Sequence, residues 1–347
     1  MKTTACVAGA LVLTSAAARA QVVHFAADTP DGDRWEYPFN GTPGTRAIAS
    51  TFSAAAEGPG FDDRDAQYIL SFDTSPEIVA GLDAGEYQVI GARLTLVVDN
   101  DLEFRYDTTP DSYRTFLAEN DPDALADADP GRAISLFGVG YRNGFDVFNW
   151  VETSPFGGTP VADPAQGARN IFAANFDAGV AYDVSNNVKE RFDPRPLGVG
   201  VIDGVALGDL VPAESVVTID FDLCDAEGIA FVRRSLHDGR LNLAVSSMHL
   251  ATGGPGGGTG DVLYPFFKTR DNVIAQLLGQ TPTLELTVRV GSPGNYDGLG
   301  GADFSDVLAF LTDFGAGSPA ADLAPPCGLD FSDVLAFLVA FAEASGG

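Results

Sequence analysis

The sequence comprises 347 residues and is strongly acidic, with 48 Asp and Glu against 20 Lys and Arg and a formal net charge of −28. This balance excludes nucleic acids and anionic membrane surfaces as partners, because both are polyanions that proteins bind through basic patches. Apolar residues make up 45% of the chain and aromatic residues 10%, which is enough for a buried core. We therefore expect a folded chain with one large domain and a smaller one.

The first twenty residues are typical of a secretory signal peptide. Lys2 gives a positive start, residues 5 to 13 are apolar, and residues 18 to 20 form an A-x-A cleavage site. We therefore expect residues 1–20 to be removed and the protein to be secreted, either extracellular or associated with the cell surface. No later apolar run approaches the roughly 18 to 20 residues that span a bilayer, so we expect no membrane insertion.

The cysteines leave one possible pair. Cys6 lies in the predicted signal peptide, so Cys224 and Cys327 remain. In an exported chain they can pair, and the bond would tie the C-terminal segment to the main body. Spacing alone does not decide whether it forms.

Residues 21–290 show the alternating apolar pattern of β-strands. In the segment 67–73, Tyr68, Leu70 and Phe72 alternate with polar residues. Similar alternation recurs along this region, and the connections are rich in Gly, Pro, Asp and Asn. A sheet whose strands have one apolar and one solvent-exposed face needs a second sheet to cover its apolar face. The pattern therefore predicts a mainly β fold, an antiparallel jelly-roll sandwich over residues 21–290.

Two short helices are predicted within this β region. The first would begin at Asp225 and end at Gly239, and the second would span residues 273 to 278. The order of strand, short helix, strand, aromatic-rich loop and final strand is read in VVTIDFDLCDAEGIAFVRRSLHDGRLNLAVSS, YPFFKTRDN and TPTLELTVRV. This order resembles the DNRLRE-like jelly-roll modules of secreted bacterial proteins. The resemblance covers most of residues 30 to 290 and implies a fold rather than an activity.

The C-terminal region contains an internal duplication. The word DFSDVLAFL occurs at residues 303–311 and again, unchanged, at 330–338, a period of 27 residues. Each copy reads as an amphipathic helix too short to be stable alone, so we expect the two helices to pack on each other. The apolar face predicted for each copy consists of Phe304, Val307, Leu308 and Leu311 in the first and Phe331, Val334, Leu335 and Leu338 in the second.

Each predicted helix follows a loop that carries acidic side chains. In the twelve-residue loop NYDGLGGADFSD, oxygen-bearing side chains occupy positions one, three, nine and twelve, and the second loop keeps positions one, nine and twelve. A turning loop can bring such side chains around a hard cation that takes six to eight oxygen ligands. We therefore predict calcium as cofactor, with the candidate ligands Asn295, Asp297, Asp303 and Asp306 in the first loop and Asp322, Asp330 and Asp333 in the second.

Helix capping explains part of the same pattern without a metal. Asp303 with Asp306, and Asp330 with Asp333, have the spacing of an N-cap residue and the third residue of a helix. Negative charge is also favoured at this end of a helix. The second loop has Ala324 at position three, where a ligand is expected. Capping and calcium binding do not exclude each other.

Two paired loop–helix units that end in Asp resemble a dockerin module. The sequence ADLAPP followed by LDFSDVLAFL is similar to the GC-type dockerin of secreted proteins from planctomycete-like bacteria. The resemblance spans residues 293 to 347, and we assign residues 291–347 to this module. It implies calcium in the loops and docking of the helices onto a cohesin-like domain of a surface or scaffold protein.

Other patterns give weaker indications. Three widely spaced histidines do not suggest a zinc or nucleophilic site. The acidic residues at 121, 123, 127 and 129 can hold a structural calcium, but solvated turns are the simpler interpretation. The aromatic residues Trp35, Tyr37, Trp150 and Phe156 can form a sugar-stacking surface or pack internally.

These patterns lead to three hypotheses. The first is a secreted structural or ligand-binding β-sandwich that a calcium-dependent dockerin-like module attaches to an extracellular or cell-surface assembly. The alternative is a polysaccharide-active secreted enzyme carried by the same module, although no pair of carboxylates is singled out by spacing and no catalytic residue is assigned. In the third, the repeat is only a helical hairpin that stabilises the C-terminus.

Overall fold

The computed structural model describes residues 21–55, 61–157, 169–251, 263–324 and 327–346. These residues form a mainly β protein with three sheets, whose strands pair antiparallel except at one short contact, and four α-helices. The mainly β class predicted from the alternation is therefore confirmed. The predicted signal peptide, residues 1–20, lies outside the described residues.

The strands are short and most are connected by turns. In chain order they are β1 Gln21–Ala27, β2 Gly32–Glu36, β3 Ile48–Ser50, β4 Gln67–Asp73, β5 Tyr87–Val97, β6 Tyr106–Asp107, β7 Arg132–Tyr141, β8 Ile171–Asp177, β9 Val180–Asp183, β10 Gly198–Val199, β11 Val201–Ile202, β12 Val216–Asp220, β13 Arg240–Ser247, β14 Phe266–Lys268 and β15 Thr283–Val290. The helices are α1 Ala226–Asp238, α2 Val273–Leu278, α3 Phe304–Ala316 and α4 Phe331–Ser345.

The first sheet has five strands in the order β1, β15, β5, β12, β11. Leu94 on β5 lies opposite Leu284 on one side and Ile219 on the other, and all three side chains are buried. Because successive side chains point to opposite faces of a strand, this register gathers the apolar residues of neighbouring strands on one face.

The second sheet runs in the order β2, β4, β13, β7, β8, β9, with β10 and β6 also joined to β7. Its inner residues, among them Leu70, Leu136 and Leu243, belong to the same hydrophobic core as Leu94 and Leu284 of the first sheet. A core shared by two facing sheets is the arrangement of a β-sandwich. A third sheet, of two strands, pairs β14 with β3.

The outer face of the second sheet is also covered, which differs from the single wet face that the alternation predicts. Gln67 and Ser71 were expected to face solvent but are buried. Ile69 and Phe137 join Trp150 in a second apolar cluster on this side. The difference arises because connecting segments, such as the one that carries Trp150, fold over the sheet, and strand periodicity does not reveal loop placement.

The two short helices lie where capping residues predict them. Asp225 accepts a hydrogen bond from the amide of Gly228 at the start of α1, and Gly239 ends the helix in a left-handed conformation. Helix α2 ends in the same way at Gly279. In the described part of the chain, no helix has the length and apolar character needed to cross a membrane.

Candidate docking module at the C-terminus

The two copies of the repeat form α3 and α4, and both begin with the same cap. Asp303 accepts from the amide of Ser305 (2.7 Å), and the carboxylate of Asp306 accepts from the amide of Asp303 (2.8 Å). In the second copy, Asp330 and Asp333 make the equivalent bonds. These are reciprocal capping boxes, so the capping interpretation of the acidic pairs is confirmed.

The caps also explain the charge state of the first acid in each pair. Hydrogen bonds from Ser305 hold the pKa of Asp303 below its ordinary value, and Ser332 does the same for Asp330. A bond from a hydroxyl or an amide stabilises the ionised carboxylate. Both caps are therefore negatively charged at the positive end of a helix dipole.

The second acid of each pair ties the preceding loop to its helix. Asp306 is fully buried, and its Oδ1 accepts from the amide of Asp297 (2.8 Å). Asp333 is equally buried and accepts from the amides of Leu323 (2.7 Å) and Ala324 (2.9 Å). Each carboxylate has a donor on both oxygens, so burial leaves neither charge without hydrogen bonds.

The other predicted calcium ligands of the first loop lie close to the N-terminal cap of α3, but their oxygen atoms do not all meet around one point. Asp297 accepts from the amide of Leu299 (2.8 Å), and hydrogen bonding with Ser305 lowers its pKa. Asn295 is buried, and its Oδ1 has no hydrogen-bond donor. The carboxylates of this loop do not form a group of three with oxygens within 4.8 Å of one another. Calcium coordination here stays a prediction.

The second loop is closed by hydrogen bonds. Oδ2 of Asp322 accepts from the amide of Gly328 (2.9 Å), whereas Asp330 and Asp333 are occupied in the helix cap. The described residues of this loop also contain no group of three acidic side chains with oxygens within 4.8 Å. Calcium binding at this loop likewise stays a prediction.

The helices pack on each other through the same position of each repeat. The rings of Phe310 and Phe337 stack with centroids 4.3 Å apart and planes 3° from parallel. Tyr296, from the first loop, lies edge-on to both rings, at 5.5 and 5.9 Å. Phe314 and Phe341 pack on either side of these rings. We call this apolar contact between α3 and α4 the seam.

The prediction of which apolar residues form the seam between the two helices is wrong. Phe304 and Phe331 are each 70% exposed. Of the face predicted for each copy, only Val307 and Val334 pack against the seam. The residues that share the exposed face are Phe304, Leu308 and Leu311 in the first copy and Phe331, Leu335 and Leu338 in the second. The physical reason is that the repeat is apolar around most of its circumference, so two faces compete and the one that carries Phe310 and Phe337 is buried.

The module is fixed to the sandwich by a disulfide bond and by polar contacts. Cys224, at the turn before α1, is bonded to Cys327, with their Cα atoms 5.1 Å apart. Gln88 donates to the carbonyl of Ala320 (2.8 Å), and Arg289 donates to the same carbonyl (3.0 Å). The possible pairing raised by the sequence is therefore present, and the module sits directly on the first sheet.

Arg289 also reaches into the module itself. Its guanidinium lies over the ring of Tyr296 at 3.7 Å from the centroid and 3.5 Å from the carboxylate of Asp313. The hydroxyl of Tyr296 donates to the same carboxylate (2.8 Å). The last strand of the sandwich, the first loop and α3 thus meet at one cationic side chain.

The other acidic residues considered from sequence separate into two places. Asp121 and Asp123 pair with Arg191. Asp127 and Asp129 instead lie with Asp111, and in the described residues this is the one group of at least three such side chains with ligand atoms within 4.8 Å of each other. Sequence reasoning missed Asp111 because it is 16 positions from Asp127.

The candidate sugar-stacking residues are largely internal. Tyr37 and Trp150 are buried, whereas Trp35 and Phe156 are partly buried. Trp35 stacks on Tyr37 with centroids 4.5 Å apart. Internal packing accounts for these four side chains.

Comparisons with protein-family models, curated proteins and solved structures find no match for the chain.

Proposed function

We propose that the protein is a secreted β-sandwich held on an extracellular or cell-surface assembly by its C-terminal module, which acts like a dockerin. One observation carries this proposal: the two helices expose the same three apolar residues of an identical repeat. Phe304 and Phe331, in equivalent positions, have the same exposure of 70%. Packing within the chain does not explain why the two copies expose the same residues, because these side chains lie outside the seam between the helices.

A large exposed apolar face on a helix is typical of a docking surface. Most soluble proteins expose apolar residues singly, and a continuous patch marks an interaction site. An amphipathic helix usually binds by placing its apolar face in a groove of the partner. Two copies of one face give a partner two equivalent ways to bind.

The charge of the C-terminal module indicates which charges surround the partner's groove. Residues 291–347 contain eight Asp and Glu and no Lys or Arg. A complementary partner therefore has an apolar groove with a basic rim, which would speed association and exclude acidic surfaces. A cohesin-like domain with such a surface is the partner we propose.

Calcium is proposed for the first loop. Asn295 supplies a buried carbonyl oxygen without a donor, and Asp297 and Asp303 are ionised neighbours in the same loop. Carboxylate and amide oxygens are the ligands that calcium prefers. The cation would hold the loop that carries Tyr296 against the helix seam. Support for a second ion is weaker, because Ala324 occupies position three of the second loop.

The sandwich is proposed to be a jelly roll that serves as a structural or ligand-binding unit. In one sheet the order β1, β15, β5, β12 alternates early with late strands, and in the other the late strand β13 lies between β4 and β7. Such interleaving is typical of two nested Greek keys. It supports the resemblance to DNRLRE-like modules without indicating a ligand.

The disulfide bond supports the proposed location. Disulfides persist in oxidising compartments and are rare in reducing ones. Together with the predicted signal peptide, the pairing of Cys224 with Cys327 favours export.

The docking proposal is tested with the chain from residue 21 onward and a panel of immobilised cohesin-like domains in calcium. We expect a saturable complex whose Kd rises at least tenfold in the double variant Phe304→Ser/Phe331→Ser, since truncation of apolar anchors weakens interfaces by this order. Phe148→Ser is the matched control, because Phe148 is equally exposed but lies on the sandwich. Binding that is unchanged in the double variant, or weakened as much by the control, contradicts the proposal.

A further inference from the structure

A group of four carboxylates lies on the sandwich, away from the C-terminal module. Asp107 ends β6, Asp111 follows it, and Asp127 and Asp129 precede β7. Carboxylate oxygens of Asp111, Asp127 and Asp129 lie within 4.8 Å of one another. This spacing allows three ligands to contact one ion, because two oxygens bound to the same calcium are separated by at most about twice the 2.3 to 2.6 Å bond length.

The backbone brings these residues together. β6 pairs in parallel with the start of β7, where Asp107 lies opposite Ala133. Gly131 makes this close approach possible: it has a φ of +124°, and a Cβ atom there would lie 3.0 Å from the Cβ of Asp107 and 3.2 Å from two carbonyl oxygens. A glycine is required where backbone and side chain meet so closely.

Asp107 is a buried carboxylate with one unpaired oxygen. The residue is 4% exposed, and its Oδ1 accepts from the amides of Thr108 (2.7 Å) and Thr109 (3.1 Å). Its Oδ2 is buried and has no hydrogen-bond donor. The carboxylate of Asp107 is a neighbour of that of Asp129. A buried acceptor without a partner is costly, and a cation bound next to it would reduce that cost.

The protein's own positive charge does not balance the group. Arg132 contacts Asp111 at 2.9 Å and also pairs with Asp127. Arg64 also lies near Asp111, so two guanidinium groups face four carboxylates, which leaves excess negative charge at a partly buried position. A divalent cation would remove most of that excess.

We propose that Asp111, Asp127 and Asp129, next to the buried Asp107, bind a calcium ion that closes the segment 108–131 on itself beside the start of β7. The ligands are all carboxylate oxygens, which favour a hard cation over zinc. Asp129 and Asp127 also border an open cavity of about 320 Å³, which gives the ion access from solvent. This site is separate from the loops of the C-terminal module and does not depend on the docking proposal.

The site is tested by limited trypsin digestion of the chain from residue 21 onward, in 1 mM calcium and in chelator. Arg114 lies in the segment 108–131, so calcium should slow cleavage after this residue at least fivefold. The same protection is expected in Asp297→Asn, which alters only the first loop of the module. It should be lost in Asp111→Asn/Asp129→Asn, in which two carboxylates become amides of the same size.

The control and a second measurement keep the test independent of folding. Asp121→Asn/Asp123→Asn removes two acids that pair with Arg191 outside the site and should retain the calcium protection. In chelator, Asp111→Asn/Asp129→Asn should have a Tm at least equal to that of the unchanged protein, because repulsion is reduced. Absence of calcium protection in the unchanged chain, or its survival in Asp111→Asn/Asp129→Asn, overturns the proposal.

Discussion

Phe310 and Phe337 occupy the same position in two identical sequence repeats and stack face to face across the centre of the C-terminal module, with ring centroids 4.3 Å apart. Both rings are buried, and Tyr296 closes the stack from the side. The duplication thus produces an interface in which each helix buries the same residue against its copy. This leaves the opposite faces of both helices exposed.

Truncation of one stacked ring should unfold the module selectively. We expect Phe337→Ala to reduce the free energy of unfolding by about 3 to 5 kcal/mol, because a large cavity opens in a small core. Loss of helical circular dichroism in urea measures the effect. Phe331→Ala removes an exposed ring on the same helix. Apart from the effect of helix propensity, it should reduce the free energy of unfolding by less than about 0.5 kcal/mol. Equal losses in the two variants would contradict the assigned seam.

The start of each C-terminal helix was predictable from sequence, but the buried face was not. Asp303 and Asp330 are identified as caps by their local spacing, which depends on bonds within one turn. The seam depends on tertiary packing: Val307, Leu308, Phe310 and Leu311 are all apolar, and periodicity alone does not distinguish the buried face from the exposed one.

The same distinction applies to the sandwich. Alternation located strands such as β4 and β13, since it reports the local direction of side chains. It did not show that the outer face of β4 is covered, because the covering segment that carries Trp150 is distant in sequence. The Asp111 group was missed for a similar reason: it requires the parallel pairing of β6 with β7.

The disulfide should stabilise the module's attachment to the sandwich. Cys224 and Cys327 are separated by 103 residues, so their bond restricts a long loop in the unfolded chain. We expect Cys224→Ser/Cys327→Ser to lose about 2 to 5 kcal/mol of unfolding free energy. Urea denaturation with and without reducing agent measures the loss. Reducing agent should lower the stability of the unchanged protein and leave that of the variant unaltered. If it alters neither protein, the bond does not form.

Asp33 should make stability depend on pH. Burial raises the pKa of this carboxyl to about 6 from 3.8, although Tyr68 and the amide of Arg270 donate to it and oppose the shift. The folded state therefore binds this proton more tightly than the unfolded chain. The stabilising contribution is complete below about pH 4 and is lost as pH rises through 6.

Substitution of Asp33 isolates this contribution. Relative to Asp33→Asn, the unchanged protein should lose about 3 kcal/mol of unfolding free energy between pH 3.5 and pH 7.5. Urea denaturation at intervals across this range measures the difference. Tyr68→Phe removes a hydrogen bond that lowers the pKa, so it should move the loss to higher pH. A pH-independent difference between Asp33→Asn and the unchanged protein would refute the assignment.

Two glycines of the C-terminal module should respond to alanine in opposite directions. A Cβ atom at Gly294 would overlap the carbonyl oxygen of Ala340 and lie 2.8 Å from the Cα of Phe341. Because backbone atoms of α4 cannot move aside without disturbing the seam, Gly294→Ala should cost about 1 to 3 kcal/mol. At Gly315, within α3, nothing lies within 4 Å of an added Cβ, and alanine should stabilise by about 0.5 to 1 kcal/mol. A urea midpoint that does not fall in Gly294→Ala would show that the segment just before the first loop does not pack against α4.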